Sequence, residues 1–134
     1  KKKKIIFSGA KRTLYVKKGE SEIETIKGDR DSIGGKQKGD AKTFSNYEIK
    51  IPDNERLVLY LTTDGFGDQP DCNRKKVGSR LLVSLFEEYS SLDGIAQRDK
   101  LEQFLNKYTI AVDEEGKEIR EAQRDDITVL GIIL

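Results

Sequence analysis

Two apolar runs carry their acidic residues at opposite ends, and this arrangement constrains the fold more than any other feature of the chain. The run LVLYLTTDG, Leu57 to Gly65, is left through Asp64, whereas RDDITVLGIIL, Arg124 to Leu134, is entered through Asp125 and Asp126. If these two strands pair antiparallel, the C-terminal end of one lies beside the N-terminal end of the other, so the carboxylates gather at one edge of the sheet. Carboxylate oxygens suit a hard cation such as Mg²⁺ or Mn²⁺, and a pair of such ions activates water against a phosphoryl group. The bland alternative is that aspartate simply ends strands, since it is depleted inside sheets and favours turns.

Taken together, TTDGFGDQ at Thr62 to Gln69 and QRDDITVLGI at Gln123 to Ile132 resemble the C-terminal half of the bacterial metal-dependent Ser/Thr protein phosphatases of type 2C (PPM), in the sporulation stage II E-like branch. Nearer the N-terminus, IIFSGAKRTLYV at Ile5 to Val16 and IKGDRDSIGG at Ile26 to Gly35 are similar to the strands and loop that precede the second metal motif in that family. The resemblance spans nearly the whole chain. It implies that Asp64 and Asp125 are metal ligands for Mn²⁺ or Mg²⁺, and that Asp126, a position variable in the family, plays a lesser role. The family's first metal motif, an Asp followed by Gly, has no counterpart upstream: Asp29, Asp31, Asp40 and Asp53 are followed by other residues. Residues 1–134 are therefore expected to be the C-terminal portion of a single catalytic domain whose N-terminal half is absent, and to be inactive alone. The lack of methionine, Lys1 included, points the same way.

Composition narrows the partners. At 134 residues the chain is one domain or part of one. Charged residues make up 37 % and apolar ones 35 %, but the signs are mixed and the net charge is +1, so neither nucleic acid nor an anionic membrane is implied. The run Lys1 to Lys4 leads directly into an apolar strand and reads as a solvated strand entry. No stretch approaches the roughly 18 apolar residues of a membrane span, and no signal-peptide pattern is present. With a single cysteine, Cys72, no internal disulfide can form, and a reducing, cytoplasmic location is expected.

Ile5 to Phe7, Thr13 to Lys17 and Glu22 to Ile26 read as short strands of a meander, joined at Gly9 to Lys11 and Lys18 to Glu20. Gly28 to Asp40 is polar and glycine-rich, a loop expected to be mobile around Lys36 to Gly39. Phe44 to Ile51 suits an edge or half-buried strand stopped by Pro52, and Arg56 to Thr63 is a strongly apolar one. From Ser79 to Leu92 the apolar period becomes helical, with Ser79 a candidate N-cap; a second helix runs from about Ile95 to Tyr108 after the break at Asp93-Gly94. Ala111 to Gln123 is charged and weakly patterned. Ile127 to Leu134 is almost wholly apolar, as expected of a strand covered on both faces. The order gives an α+β fold. The resemblance sharpens it to part of a two-sheet antiparallel β-sandwich flanked by helices.

Several other sites fail on chemistry. Gly28 to Asp40 imitates a calcium loop through Asp29, Asp31, Gly34 and Asp40, but Ile33 occupies a ligand position and the flanks read as strands. A second candidate from Asp64 to Lys75 fails at Gln69 and at its last position. Cys72 is followed by basic residues, yet Gly78 stands where a thiol phosphatase needs its arginine, which leaves a surface thiol. With no histidine, Ser-His and Cys-His pairs are excluded within the chain. Asp126 and Asp125 leave the strand on opposite faces, so at most one looks into a shared site. Asp68 could reach that site through the turn, but reads more simply as a loop aspartate in water.

The resemblance thus implies a phosphoserine/phosphothreonine protein phosphatase, with a phosphorylated signalling partner such as an anti-sigma antagonist as substrate and a sensor domain upstream. The competing reading is a non-enzymatic regulatory or partner-binding module on the same scaffold. An unpaired sheet edge where missing strands belong would favour dimerisation.

Overall fold

The computed structural model describes residues 3–34 and 43–134. The mobile stretch expected at Lys36 to Gly39, the last calcium-loop position Asp40, and Lys1 and Lys2 lie outside the described residues. Five strands come first: β1 (Lys4–Phe7), β2 (Thr13–Lys18), β3 (Glu24–Lys27), β4 (Tyr47–Lys50) and β5 (Leu57–Thr62). Three helices follow, α1 (Asp64–Asp68), α2 (Gly78–Tyr89) and α3 (Gly94–Tyr108). The chain closes with β6 (Ile110–Val112), β7 (Glu118–Arg120) and β8 (Val129–Ile133). These elements form two compact units, Lys1–Leu61 with Leu130–Leu134, and Thr62–Val129.

The first unit is built from antiparallel sheets. β1 pairs β4, from Lys4 opposite Lys50 to Phe7 opposite Tyr47. A four-stranded sheet runs in the order β3-β2-β5-β8, with Leu14 facing Ile26 on one side and Leu61 on the other. Side chains alternate across a strand. Leu14 and Val16 of β2 and Leu57 and Leu59 of β5 therefore share one face, and they form a buried cluster with Ile49 of β4. Ile5, Phe7, Ile26, Ile51 and Leu61 pack around it. One apolar core is thus held between the two sheets, the antiparallel sandwich expected from the sequence, with each fully buried leucine or valine stabilising it by about 1.5–3 kcal/mol.

Two expectations need correction here. β1 and β2 are not neighbours in a meander. The chain crosses from one sheet to the other at Gly9 to Arg12, where Lys11 takes a left-handed φ of 58° and the segment bonds to 28–29: Lys11 N–H to Asp29 O at 2.7 Å, Asp29 N–H to Gly9 O at 2.7 Å. A Cβ on Gly28 would meet Gly9 O at 2.4 Å, so only glycine permits this crossing. Asp29 itself, a calcium-loop position by sequence, accepts hydrogen bonds from Ser45 N–H (2.7 Å) and Ser45 Oγ–H (3.0 Å).

The second correction concerns β8. It is antiparallel to β5, since Leu57 and Leu134 exchange both backbone hydrogen bonds (3.0 and 2.9 Å). Yet it stands at the end of the sheet order, and Leu130 and Leu134 are each 52 % exposed. Its apolar composition suits a covered strand, but among the described residues β5 alone pairs with it.

In the second unit α2 buries Leu82, Leu85 and Phe86. Ser79 is not its cap: the helix begins at Gly78 (φ 71°), and Ser79 lies inside the first turn. α3 is capped by Asp93, whose carboxylate accepts the Ala96 N–H at 2.8 Å. The charged stretch after it contains a small hairpin, β6 against β7, with Ala111 opposite Ile119. Its turn is set by the Asp113 carboxylate, which accepts the Glu115 and Lys117 N–H groups at 3.0 and 2.8 Å, and by Gly116 at φ 79°. No helix among the described residues is long and apolar enough to cross a membrane.

Candidate metal centre

The two acid-bearing segments meet inside the second unit. Thr63 N–H donates to Thr128 O at 3.1 Å, extending the antiparallel pairing to the point where Asp64 leaves it. Thr63 then occupies the N-cap position of α1 without capping it. Its hydroxyl bonds across the pair instead, donating to Asp126 O (2.9 Å) and accepting the Thr128 N–H (3.0 Å), the one donor and one acceptor role a hydroxyl can fill together. Thr62 Oγ1 adds a bond to Thr128 O at 3.0 Å.

Gly65 explains why the aspartate is followed by glycine. A Cβ there would lie 2.3 Å from Asp126 O and 3.3 Å from Ile127 Cγ1. Any side chain would push the segments apart, so the Asp-Gly pair is a condition of close approach and not a turn preference alone. Gly67, two residues on, has open space.

A second clamp holds the other flank. Gln69 is 1 % exposed, and its amide donates to Ala122 O (3.1 Å) and Pro70 O (3.0 Å) while its carbonyl accepts the Arg124 N–H (3.3 Å). Asp125 therefore sits between Arg124, bound by Gln69, and Asp126, bound by Thr63. Its carboxylate accepts the Asp126 N–H at 2.7 Å, and its carbonyl accepts from Gln123 Nε2 at 2.8 Å. The Arg124 guanidinium is occupied by Glu121.

Asp64 and Asp125 are thus brought to the same end of the paired segments, both exposed to solvent. Two carboxylates with water access match the usual donor set for one Mg²⁺, which keeps several waters and takes one or two carboxylates from protein. A pair of ions needs more. Among the described residues no group of three or more His, Cys, Asp or Glu side chains is arranged to hold a metal.

No protein-family model matches this sequence, and no curated protein matches it. Among solved structures the chain is similar to the SiaA-PP2C domain of Pseudomonas aeruginosa, with a TM-score of 0.72 and 28 % sequence identity over 96 % of this chain. The fold is that of a PP2C-type domain. The match covers 45 % of the Pseudomonas chain, so this sequence spans less than half the length of that PP2C structure.

Within this PP2C-type, phosphatase-like module the remaining sequence candidates make contacts of their own. Asp68 pairs with Lys76 Nζ at 2.8 Å on the surface. Asp126 contributes its backbone, which carries the Thr63 contact and the Gly65 approach. Cys72 is half-buried, its thiol directed at Thr109 O (3.3 Å) and Ile119 O (3.7 Å). Sequence reasoning overlooked Thr63 and Gln69 as positioning residues. A threonine at a strand end and a glutamine before proline carry no chemical signature of their own; only the partner segment, more than fifty residues away, reveals their use.

Proposed function

We propose that this chain is the C-terminal portion of a metal-dependent phosphoserine/phosphothreonine protein phosphatase of the sporulation stage II E-like branch, acting in the cytoplasm on a phosphorylated signalling protein such as an anti-sigma antagonist. The observation that supports this reading is the double clamp: Thr63 bonds the backbone of Asp126 and Thr128, and Gln69 that of Ala122 and Arg124, so the chain is held on both sides of Asp125.

When bound, Mn²⁺ or Mg²⁺ would supply Lewis-acid stabilisation of phosphoryl charge and water activation. Asp64 and Asp125 would hold one such ion. Thr63 orients the backbone on which Asp125 and Asp126 lie, and Gly65 lets that backbone close onto the Asp64 turn. The further carboxylate of a two-metal site would come from residues outside this sequence, and two features support that: the 45 % share of the Pseudomonas PP2C chain, and an apolar β8 left at a sheet edge. An upstream sensor domain and dimerisation belong to the same proposal.

The test uses a protein in which this chain is joined to the rest of its catalytic domain. Asp64→Asn and Asp125→Asn should each abolish Mn²⁺-dependent release of phosphate from a phosphoserine peptide, because a neutral amide is a poor ligand for a hard cation. Asp126→Asn should be mild, since this residue contributes backbone contacts. A dead Asp126→Asn with an active Asp125→Asn would assign the ligand wrongly by one residue. A folded protein with no phosphatase activity under any divalent ion would favour the partner-binding module instead.

A further inference from the structure

The four-stranded sheet ends differently on its two sides. At one end β3 carries Glu24 and Lys27, the charged kind of edge that discourages a further strand. At the other, β8 holds neither a charge nor a proline between Val129 and Ile133. Its register on β5 fixes which backbone groups face outward. Leu57 and Leu134 exchange both hydrogen bonds, and such pairs recur at every second residue of an antiparallel ladder, so Leu130, Ile132 and Leu134 bond inward to β5. The N–H and C=O groups of Gly131 and Ile133 therefore point away from β5, along an edge that no strand among the described residues pairs.

The same register assigns the faces. Residues directly opposite in a ladder share one face, which places Leu134, Ile132 and Leu130 beside Leu57, Leu59 and Leu61. Leu57 and Leu59 are buried in the core between the two sheets, whereas Ile132 is 39 % exposed and Leu130 and Leu134 more so. The covering sheet consists of β1 and β4. The core face thus runs on past the end of its cover: β8 lacks a neighbour in its own layer and strands above it in the other.

We infer that the rest of the catalytic domain docks here as strands in both layers, one pairing with Gly131 and Ile133 of β8 and another widening the β1–β4 sheet over Leu130, Ile132 and Leu134. This rests on the reading of the chain as part of a larger domain, and it names the surface through which the two parts join. Three observations select this occupant. The chain covers 45 % of the Pseudomonas PP2C chain, which leaves room outside this sequence for a partner of the required size. Outward backbone groups at strand spacing demand an extended segment, as in strand addition to a sheet edge. A second copy paired through β8 would fill the edge, but its own Leu130, Ile132 and Leu134 would lengthen the exposed apolar stripe instead of covering it.

Amide hydrogen exchange followed by ¹⁵N NMR tests this, on the 134-residue chain and on the protein in which it is joined to the rest of its domain. In the chain, Leu130 and Ile132 should be protected while Gly131 and Ile133 exchange freely; joining should slow the latter two by roughly a hundredfold or more. Ile133→Pro, which removes an outward N–H and no bond to β5, should leave the urea midpoint of the chain nearly unchanged and lower that of the joined protein. Gly131 and Ile133 amides that stay unprotected in the joined protein overturn the inference, as does a proline effect of equal size in both proteins. Concentration-dependent protection in the chain alone, not increased by joining, would assign the edge to a second copy and overturn it too. Neither readout requires turnover: a joined protein that protects these amides but releases no phosphate refutes the proposed activity and leaves the docking surface standing.

Discussion

Gly65→Ala is the most direct perturbation of the close approach that brings the two acid-bearing segments together. The added methyl would stand 2.3 Å from Asp126 O, and ordinary contact begins near 3.4 Å, so the segments must part by about 1 Å. Parting them strains or breaks the Thr63 Oγ1–Asp126 O bond of 2.9 Å, a loss of roughly 1 kcal/mol. Overpacking of this kind costs a further 1–3 kcal/mol or so. Against this, alanine is a better helix former than glycine by at most about 1 kcal/mol, and less in a helix of one turn. The net expectation is a destabilisation of roughly 2–3 kcal/mol. Gly67→Ala is the internal control: it lies in the same helix with nothing within 4 Å, so only the propensity gain remains, and it should be neutral or slightly stabilising. Urea unfolding followed by circular dichroism separates the two variants. If Gly65→Ala unfolds at the same urea concentration as the parent, the segments do not approach as described.

The two clamps should respond differently to removal. Thr63→Val leaves Asp126 O and the Thr128 N–H without a side-chain partner at a half-buried position and should cost about 1–2 kcal/mol; Gln69→Leu strands the Ala122 and Arg124 backbone groups around a residue 1 % exposed and should cost roughly 2–4 kcal/mol by the same unfolding assay. Burial pushes the Tyr60 phenol up to about 12, with the Arg56 charge acting in the opposite direction. An acid whose folded pKa is raised stabilises the fold fully below its unfolded value near 10, and that contribution is lost as pH rises toward 12. The fall in stability across this window should be smaller in Tyr60→Phe.

Much of this architecture is legible in the sequence because it rests on local periodicity. The alternation in β2 and β5, the helical spacing of Leu82, Leu85 and Phe86, and the Asp93 break all register in patterns a few residues long. What escaped depends on partners distant in sequence. β1 pairs with β4 and not with its chain neighbour, because the 9–12 crossing is fixed by the 28–29 segment. The apolar composition of β8 speaks of cover on both faces, but its place at the sheet edge is a matter of topology. The hairpin of β6 and β7 was hidden by charged residues on exposed strands. At the candidate site the acidic residues stand out in the sequence by their chemistry, whereas the threonine and glutamine whose bonds hold the backbone on either side of Asp125 do not.

The central claim is that Asp64 and Asp125 act together on one divalent ion. Paramagnetic broadening by Mn²⁺, titrated into the ¹⁵N-labelled chain and followed amide by amide, tests it without any requirement for turnover. Broadening should appear first at the amides of 63–66 and 124–128, and it should require markedly more Mn²⁺ in both Asp64→Asn and Asp125→Asn while Asp126→Asn stays close to the parent. Broadening that begins at other acidic stretches, such as Asp113 to Glu115, and is indifferent to both substitutions would contradict the shared site.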